Sequence, residues 1–279
     1  MTASFRIIGS AVPESPVVLS VPHAGRDYSA ALCAALRAPA VRLSALEDRY
    51  VDRVALGARR CETVLVQDAP RAWIDLNRAE HERDPLLDDG AKRTNLSAKV
   101  RAGLGIVPRR TGATGDIWRR RLGGDEVEAR IASDHRPYHE ALCRTLAQAR
   151  NRFGIAVLLD LHSMPPLPGG RTRVVVGDRF GRAAATRFVQ RIESEVEGAG
   201  LVHALNSPYA GGYILERHGQ PHERIHAIQL EIDRALYLDQ RLDAVGPGLA
   251  RTIALVRAII DALSDEALGS GSGIAQAAE

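Results

Sequence analysis

Aromatic residues are scarce in this chain: phenylalanine, tryptophan and tyrosine together make up 4% of its 279 residues. Single-strand nucleic-acid binders usually need aromatic platforms on which bases stack, so that function class starts at a disadvantage. Cysteines are few as well. Cys33, Cys61 and Cys143 lie far apart and form no CxxC pair, which argues against a disulfide framework and for a reducing compartment. No apolar run approaches the roughly 20 residues needed to span a bilayer; the longest near the C-terminus, IALVRAIIDAL, is broken by Arg257 and Asp261. The opening residues MTASFRIIGSAVPESP lack the basic start and uninterrupted apolar core of a signal peptide. A strong excess of one charge is missing too: the net charge is +3 and the sequence pI about 8.9. These absences lead to the expectation of a cytoplasmic protein with neither nucleic acid nor membrane among its partners; they leave its oligomeric state open. No compact HExxH-type metal motif is present.

What the chain does have is an alternation of short apolar runs with helical patterns. Ile155–Met164 (IAVLLDLHSM) opens with the run IAVLL, the composition of a strand buried on both faces of a parallel sheet. It then turns polar at Asp160, His162 and Ser163, before prolines and glycines end it. Strand side chains alternate, so Asp160 and His162 face the same side. Open α/β sheets bind ligands at the carboxyl ends of their strands. Pro16–Pro22 is a second strand and leads straight into His23-Ala24-Gly25. Glu62–Gln67, Arg173–Gly177 and Leu201–Leu205 read as further strands, and Arg224–Ile232 as a buried one ending at Glu231 and Asp233. Helical patterns fill the intervals: Ser29–Arg37, Leu46–Arg60, Glu126–Phe153 with a kink or a restart expected at Pro137, Arg182–Glu197 and Ala244–Leu263. This implies one α/β domain over residues 1–267, three layers α/β/α around a mostly parallel or mixed sheet. Residues 268–279, ending GSGSGIAQAAE, read as a disordered tail.

Three strand ends thus carry His23, His162 and Glu231, and Glu47 and Asp48 stand at the start of the Leu46–Arg60 helix, which would place Asp48 and Asp52 on one face. Two imidazoles, a carboxylate and an open position are the ligand set of a hydrolytic zinc ion. A further carboxylate outside that set can act as general base on the activated water. Asp160 would either orient His162 through its other ring nitrogen or bond the loop after Ser163. In Arg71–Arg78 (RAWIDLNR), Arg71, Asn77 and Arg78 bracket an apolar segment. Because a guanidinium forks onto a carboxylate, this reads as an acid-binding element; the same arginines would also pair with Asp75 and Glu80. Asn206–Tyr213 (NSPYAGGY) is turn-rich and lets backbone approach a ligand. Ala79–Thr114 shows neither period and little that reads as buried, so a loop over or near the site is expected. The basic clusters Arg109-Arg110 and Arg119–Arg121 read as solvated faces. His135 with His139, and His218 with His222 and His226, have helical spacing for a metal face, but Pro137, Gly219 and Pro221 argue against it.

Taken together, His23 in SVPHAG, Asp48 and Asp52 in EDRYVD, RAWIDLNR, DLHS, NSPYAGGY and IQLEIDRALY resemble the N-formylglutamate amidohydrolase family, in the same order from residue 17 to about 239. That family is similar in architecture to zinc carboxypeptidases and aspartoacylase. The resemblance implies a zinc-dependent hydrolase that removes formate from N-formyl-L-glutamate. Its single ion would be held by His23, His162 and Asp48, the last preferred to Glu47 because it stands where the family's motif has its aspartate. Glu231 would match the general base. Arg71, Asn77 and Arg78, with Tyr209 and Gly211, would hold the small acidic N-acyl amino acid. The HxxE pattern of carboxypeptidases is absent, since Arg26 occupies the third position after His23. The nearest alternative is a related amidohydrolase or peptidase acting on another N-acyl amino acid or peptide; a non-enzymatic polyanion-binding module is the distant one.

Overall fold

Near-continuous apolar strands need a partner layer on each face, and the helices supply both. A computed structural model describes residues 4–37, 39–112 and 115–275, with backbone alone from residue 270. The first half contains β1 (Phe5–Ile8), β2 (Val17–Val21), α1 (Ala30–Ala35), α2 (Val51–Ala58), β3 (Thr63–Gln67), α3 (Ala98–Arg101), the short pair β4 (Arg110–Thr111) and β5 (Gly115–Asp116), α4 (Gly124–Arg130) and α5 (Arg136–Phe153). The second contains β6 (Ala156–Met164), β7 (Thr172–Gly177), α6 (Thr186–Gly198), β8 (Val202–Leu205), α7 (Tyr213–His218), β9 (Ile225–Asp233) and α8 (Leu249–Ala275). Among the described residues, seven strands form one sheet in the order β1-β3-β2-β6-β9-β7-β8. β3, β2, β6 and β9 are parallel; β1 joins one edge antiparallel, and β7 joins β9 antiparallel and carries β8. This is the mixed, mostly parallel α/β sheet the sequence leads one to expect.

Side-chain alternation divides the strands between two cores. Val17, Leu19 and Val21, Val157, Leu159 and Leu161, and Ile228, Leu230 and Ile232 pack under α2, α6 and α8. The opposite face starts apolar, with Val18, Ala156, Leu158 and Ala227 against α5 and α7. Towards the carboxyl ends that same face turns polar: Ser20, Asp160, His162, Gln229 and Glu231 are all buried there. One face of three adjacent strands therefore holds the polar groups, and the other anchors them.

Local structure departs from the sequence patterns in four places. The helix expected at Leu46–Arg60 starts only at Val51, because Tyr50 takes a left-handed conformation (φ 58°); Glu47 and Asp48 lie in the turn before it, so Asp48 shares no helical face with Asp52. At Pro137 the helix restarts, one of the two outcomes expected there. A π-helical turn at Ile131–His135 precedes it and places the proline in the first turn of α5, where its missing N–H costs little. The Ala79–Thr114 segment is packed rather than draped: Leu87, Val100, Ile106 and Val107 are buried and α3 lies within it, while residues 113 and 114 fall outside the described set. β1 and α7 were not legible as elements, being four and six residues long. Finally, the closing helix begins at Leu249 rather than Ala244 and runs to Ala275, into the stretch read as a tail; residues 276–279 lie outside the described set.

Leu159 sits at the centre of the sheet on the fully apolar face, with no exposed surface. Leu159→Ala is expected to lower the unfolding free energy by about 2–5 kcal/mol, seen in urea titration as a lower midpoint with an unchanged slope. A loss below about 1 kcal/mol would mean that this core relaxes around the gap.

Candidate active site

His23 follows β2, and the loop behind it must turn sharply against the chain after β3. Gly25 makes this possible: a Cβ there would lie 2.0 Å from the Ala69 carbonyl oxygen. The backbone of Asp48 then docks onto the histidine itself, its N–H donating to the His23 carbonyl at 2.9 Å. His162 comes from β6, two residues beyond Asp160. The result is a buried group in which ligand atoms of His23, Asp48 and His162 all lie within 4.8 Å of one another. Nδ1 of His162 is 3.0 Å and Nδ1 of His23 3.6 Å from the same carboxylate oxygen, Asp48 Oδ2.

Each imidazole is held from behind by a second carboxylate. His162 Nε2 donates to Asp160 Oδ2 at 2.9 Å, and Asp160 Oδ1 accepts from Ser20 at 2.7 Å, with Tyr138 bonded to Ser20 in turn. Asp160 thus orients His162 rather than the loop after Ser163. His23 Nε2 donates to Asp75 Oδ1 at 2.7 Å. Asp75 is fully buried; it also accepts from the Asn77 N–H at 2.9 Å and from Arg71 at 2.9 and 2.8 Å. With its Nε2 proton given to Asp75, His23 presents a bare Nδ1 lone pair to a carboxylate oxygen, and that buried nitrogen has no hydrogen-bond partner. Two acceptors facing each other call for a cation between them. The donor set fits a divalent metal ion with N and O ligands.

The titration behaviour agrees with this geometry. Burial works against ionisation of Asp48, but His162 and His23 outweigh it and hold the carboxyl well below its ordinary range. Burial likewise opposes the His162 imidazolium, yet Asp160 and Asp48 keep its pKa well above that of free histidine. Glu47 faces elsewhere, accepting from Tyr28 at 2.7 Å and from Arg49 at 3.0 Å. Asp52 is bound by Arg26 at 2.8–3.0 Å.

These groups open on a cavity of about 430 Å³ lined also by Arg71, Asn77, Arg78, Tyr209, Gly211 and Glu231, all singled out from sequence. Glu231 stands opposite His162 in the β6–β9 register. Burial, aided by Asp48 and Asp160 and opposed by His162 and Arg71, pushes its pKa up to about 7. Gln229 donates to its Oε1 at 3.0 Å. Asn77 donates to Gln229 at 3.3 Å and accepts from the Ile214 N–H at 2.9 Å, so its amide links α7 to Glu231. Gly211 takes φ 106°, open to glycine and strained for other residues, with the Leu215 side chain against it.

The chain matches the family model described as N-formylglutamate amidohydrolase over residues 15–238. It belongs to that family. It is 28% identical to the N-formylglutamate deformylase of Pseudomonas aeruginosa over 89% of this chain and 92% of the relative. A deformylase of the same description from Pseudomonas putida is 29% identical over 81% and 82%. A crystal structure of N-formylglutamate amidohydrolase from Ralstonia eutropha superposes with a TM-score of 0.85 at 31% identity, covering 97% of this chain and 99% of that one. A protein from Agrobacterium tumefaciens shares the fold at 16% identity, with a TM-score of 0.64 over 97% and 96% of the two chains.

For this member of the N-formylglutamate amidohydrolase family, sequence reasoning missed Asp75, Gln229, Lys99 and Arg234. Asp75 had a signal: a carboxylate between Ile74 and Leu76 in a buried run must find a partner, and the spacing Asp-Leu-Asn repeats that of Asp160-Leu161-His162. Lys99 and Arg234 line the cavity; Lys99 comes from a stretch whose pattern shows no site, whereas Arg234 lies in the IQLEIDRALY block and was passed over beside Glu231. The other histidines do not converge on a metal. His139 joins His218 at 2.9 Å and the Leu76 carbonyl at 2.9 Å, and His135 bonds the Arg78 carbonyl at 2.8 Å. They brace the RAWIDLNR segment from beneath, while His222 is exposed and His226 packs on Phe188. No helix is long and apolar enough to cross a membrane among the described residues.

Cobalt(II) titration, read by its visible absorption, is expected to saturate at one ion per chain. Because His162 must lose its Nδ1 proton, apparent affinity should rise with pH through neutrality and protons should be released on binding. Asp75→Asn is expected to weaken the ion by about 10–100-fold without unfolding the chain; unchanged affinity in that variant would remove Asp75 from the site.

Proposed function

We propose that this chain hydrolyses N-formyl-L-glutamate to formate and L-glutamate, with one zinc ion held by Nδ1 of His23, the Asp48 carboxylate and Nδ1 of His162. The single observation that carries the reading is the buried His-Asp-His group, in which Nδ1 of His23 faces the Asp48 carboxylate, in one cavity with a buried glutamate and four cationic side chains. Family membership and the names of the relatives support the choice of substrate. When loaded, the group supplies a Lewis acid for the formyl oxygen and acidifies a water beside it.

The chain's own residues do the rest. Glu231 takes the proton of the attacking water on Oε2, its Oε1 being occupied by Gln229. It passes that proton to the departing nitrogen, so glutamate leaves as the neutral amine. A carboxyl poised near neutrality suits both halves of this transfer. Arg71, fixed by Asp75 to His23, and Arg78, fixed by carbonyl oxygens of Leu104 and Asn77 at 2.9 and 2.8 Å, hold the carboxylate nearer the scissile bond. Tyr209 and Gly211 line the same cavity.

Glu231→Gln is expected to lower kcat by about 10²–10⁴-fold in an assay of formate release, with metal content unchanged. In the wild type, kcat/KM should fall on the acid side as Glu231 takes up its proton. That limb lies at or below about pH 7, since a cation nearby favours the ionised form. Full activity in Glu231→Gln would remove the base, and a panel on which N-acetyl or other N-formyl amino acids outpace N-formyl-L-glutamate would replace the substrate.

A further inference from the structure

Four cations line the cavity, and they differ in how fully their charge is engaged. Arg71 is locked to Asp75 by two bonds, and Arg234 reaches Asp48 Oδ1 at 3.2 Å and Ser163 Oγ at 3.1 Å. Arg78 spends Nε and Nη1 on carbonyl oxygens and stands 4.0 Å from Asp75. The Lys99 ammonium has no hydrogen-bond or ion-pair partner among the described residues. It is disfavoured first by burial and then by Arg78 and Arg71, which outweigh the more distant pull of Asp75 and Glu231.

Lys99 is nevertheless held in position. Ser97 caps α3 by accepting from the Val100 N–H at 3.3 Å and is itself fixed to Glu82 at 2.8 Å. The Leu104 N–H donates to the Lys99 carbonyl at 2.9 Å, and the Leu104 carbonyl accepts from Arg78 Nε at 2.9 Å. Backbone hydrogen bonds thus tie the lysine to the arginine beside it. A small substrate with two carboxylates, its acyl group at the His-Asp-His end, sets its nearer carboxylate against Arg71 and Arg78. Its farther one then lies on the outer wall, where an uncommitted ammonium with three rotatable donors can meet it.

We infer that Lys99 is the specificity-determining residue that reads the distal, side-chain carboxylate of a dicarboxylic N-acyl amino acid. This rests on the hydrolase reading above and adds to it the reason a neutral side chain would be turned away: an unpaired cation in a half-buried wall favours only an anion. It also gives the packed Ala79–Thr114 segment a task, since α3 within it delivers the lysine.

The test compares wild type, Lys99→Met and Lys99→Arg on N-formyl-L-glutamate and its neutral isostere N-formyl-L-glutamine, by formate release with metal-loaded protein. Lys99 is an exposed residue, so these variants are expected to fold. For Lys99→Met, KM for N-formyl-L-glutamate should rise about 10–100-fold with kcat little changed, while N-formyl-L-glutamine shifts less than about threefold; Lys99→Arg should restore most of the difference. Lys99→Glu should move preference towards N-formyl-L-ornithine, and product inhibition by L-glutamate should weaken in step. Equal losses on both substrates, or none, would overturn the assignment while leaving the hydrolase reading intact. A wild type that releases formate from neither substrate would sink the hydrolase reading and this one with it.

Discussion

One buried negative charge organises the middle of this molecule: the carboxylate of Asp48, set between two imidazoles at the ends of a parallel sheet. A charge taken out of water is tolerated only if it is paired and hydrogen-bonded. Around Asp48 the pairing is arranged group by group. Arg71 answers Asp75, Arg234 answers Asp48 from outside, and the imidazolium of His162 answers Asp160. What is left facing inward is a set of electron pairs on His23, Asp48 and, once deprotonated, His162. An ion there satisfies them all together. The carboxylates behind the two histidines fix the ring orientation and choose which nitrogen points inward, so the donor set is formed before any ion arrives.

The sheet makes this arrangement affordable because its two faces are so unequal. Leu159 and Leu161 on one side of β6 are wholly buried among apolar neighbours, while Asp160 and His162 alternate with them on the other. Glu231 is brought to His162 by register alone, the two being Cα partners between β6 and β9. Beneath the RAWIDLNR segment, His135, His139 and His218 are a bonded, uncharged scaffold. Burial depresses the pKa of all three, that of His218 to about 3, so they support Leu76 and Arg78 without adding positive charge to a cavity that already has enough.

The legible part of this was whatever follows from periodicity and strand ends. The apolar run IAVLL followed by Asp160 and His162, the histidine after Pro16–Pro22 and the carboxylate closing Arg224–Ile232 could be placed at strand ends without a structure; that the three strands are neighbours comes from the sheet order. Three-dimensional placement was needed for the rest. Asp48 lies off the helix it was expected to start, because Tyr50 turns left-handed before α2; no propensity signals that for a tyrosine. Pro137 did mark where its helix restarts, but the π-helical turn before it leaves no trace in hydrophobic spacing. Ala79–Thr114 lacks a period yet is packed, because its buried side chains are contributed singly from turns rather than from one face of an element. Lys99 belongs to that segment, and only the cavity reveals it.

The account stands or falls on where an ion binds. Crystals of the protein loaded with a divalent metal, measured with anomalous scattering at that metal's absorption edge, would locate it directly. A single strong peak bounded by Nδ1 of His23, Nδ1 of His162 and the carboxylate of Asp48, with Asp75 and Asp160 still bonded to the far nitrogens, is the expected result. A peak at another place, or none at saturating metal, would contradict it.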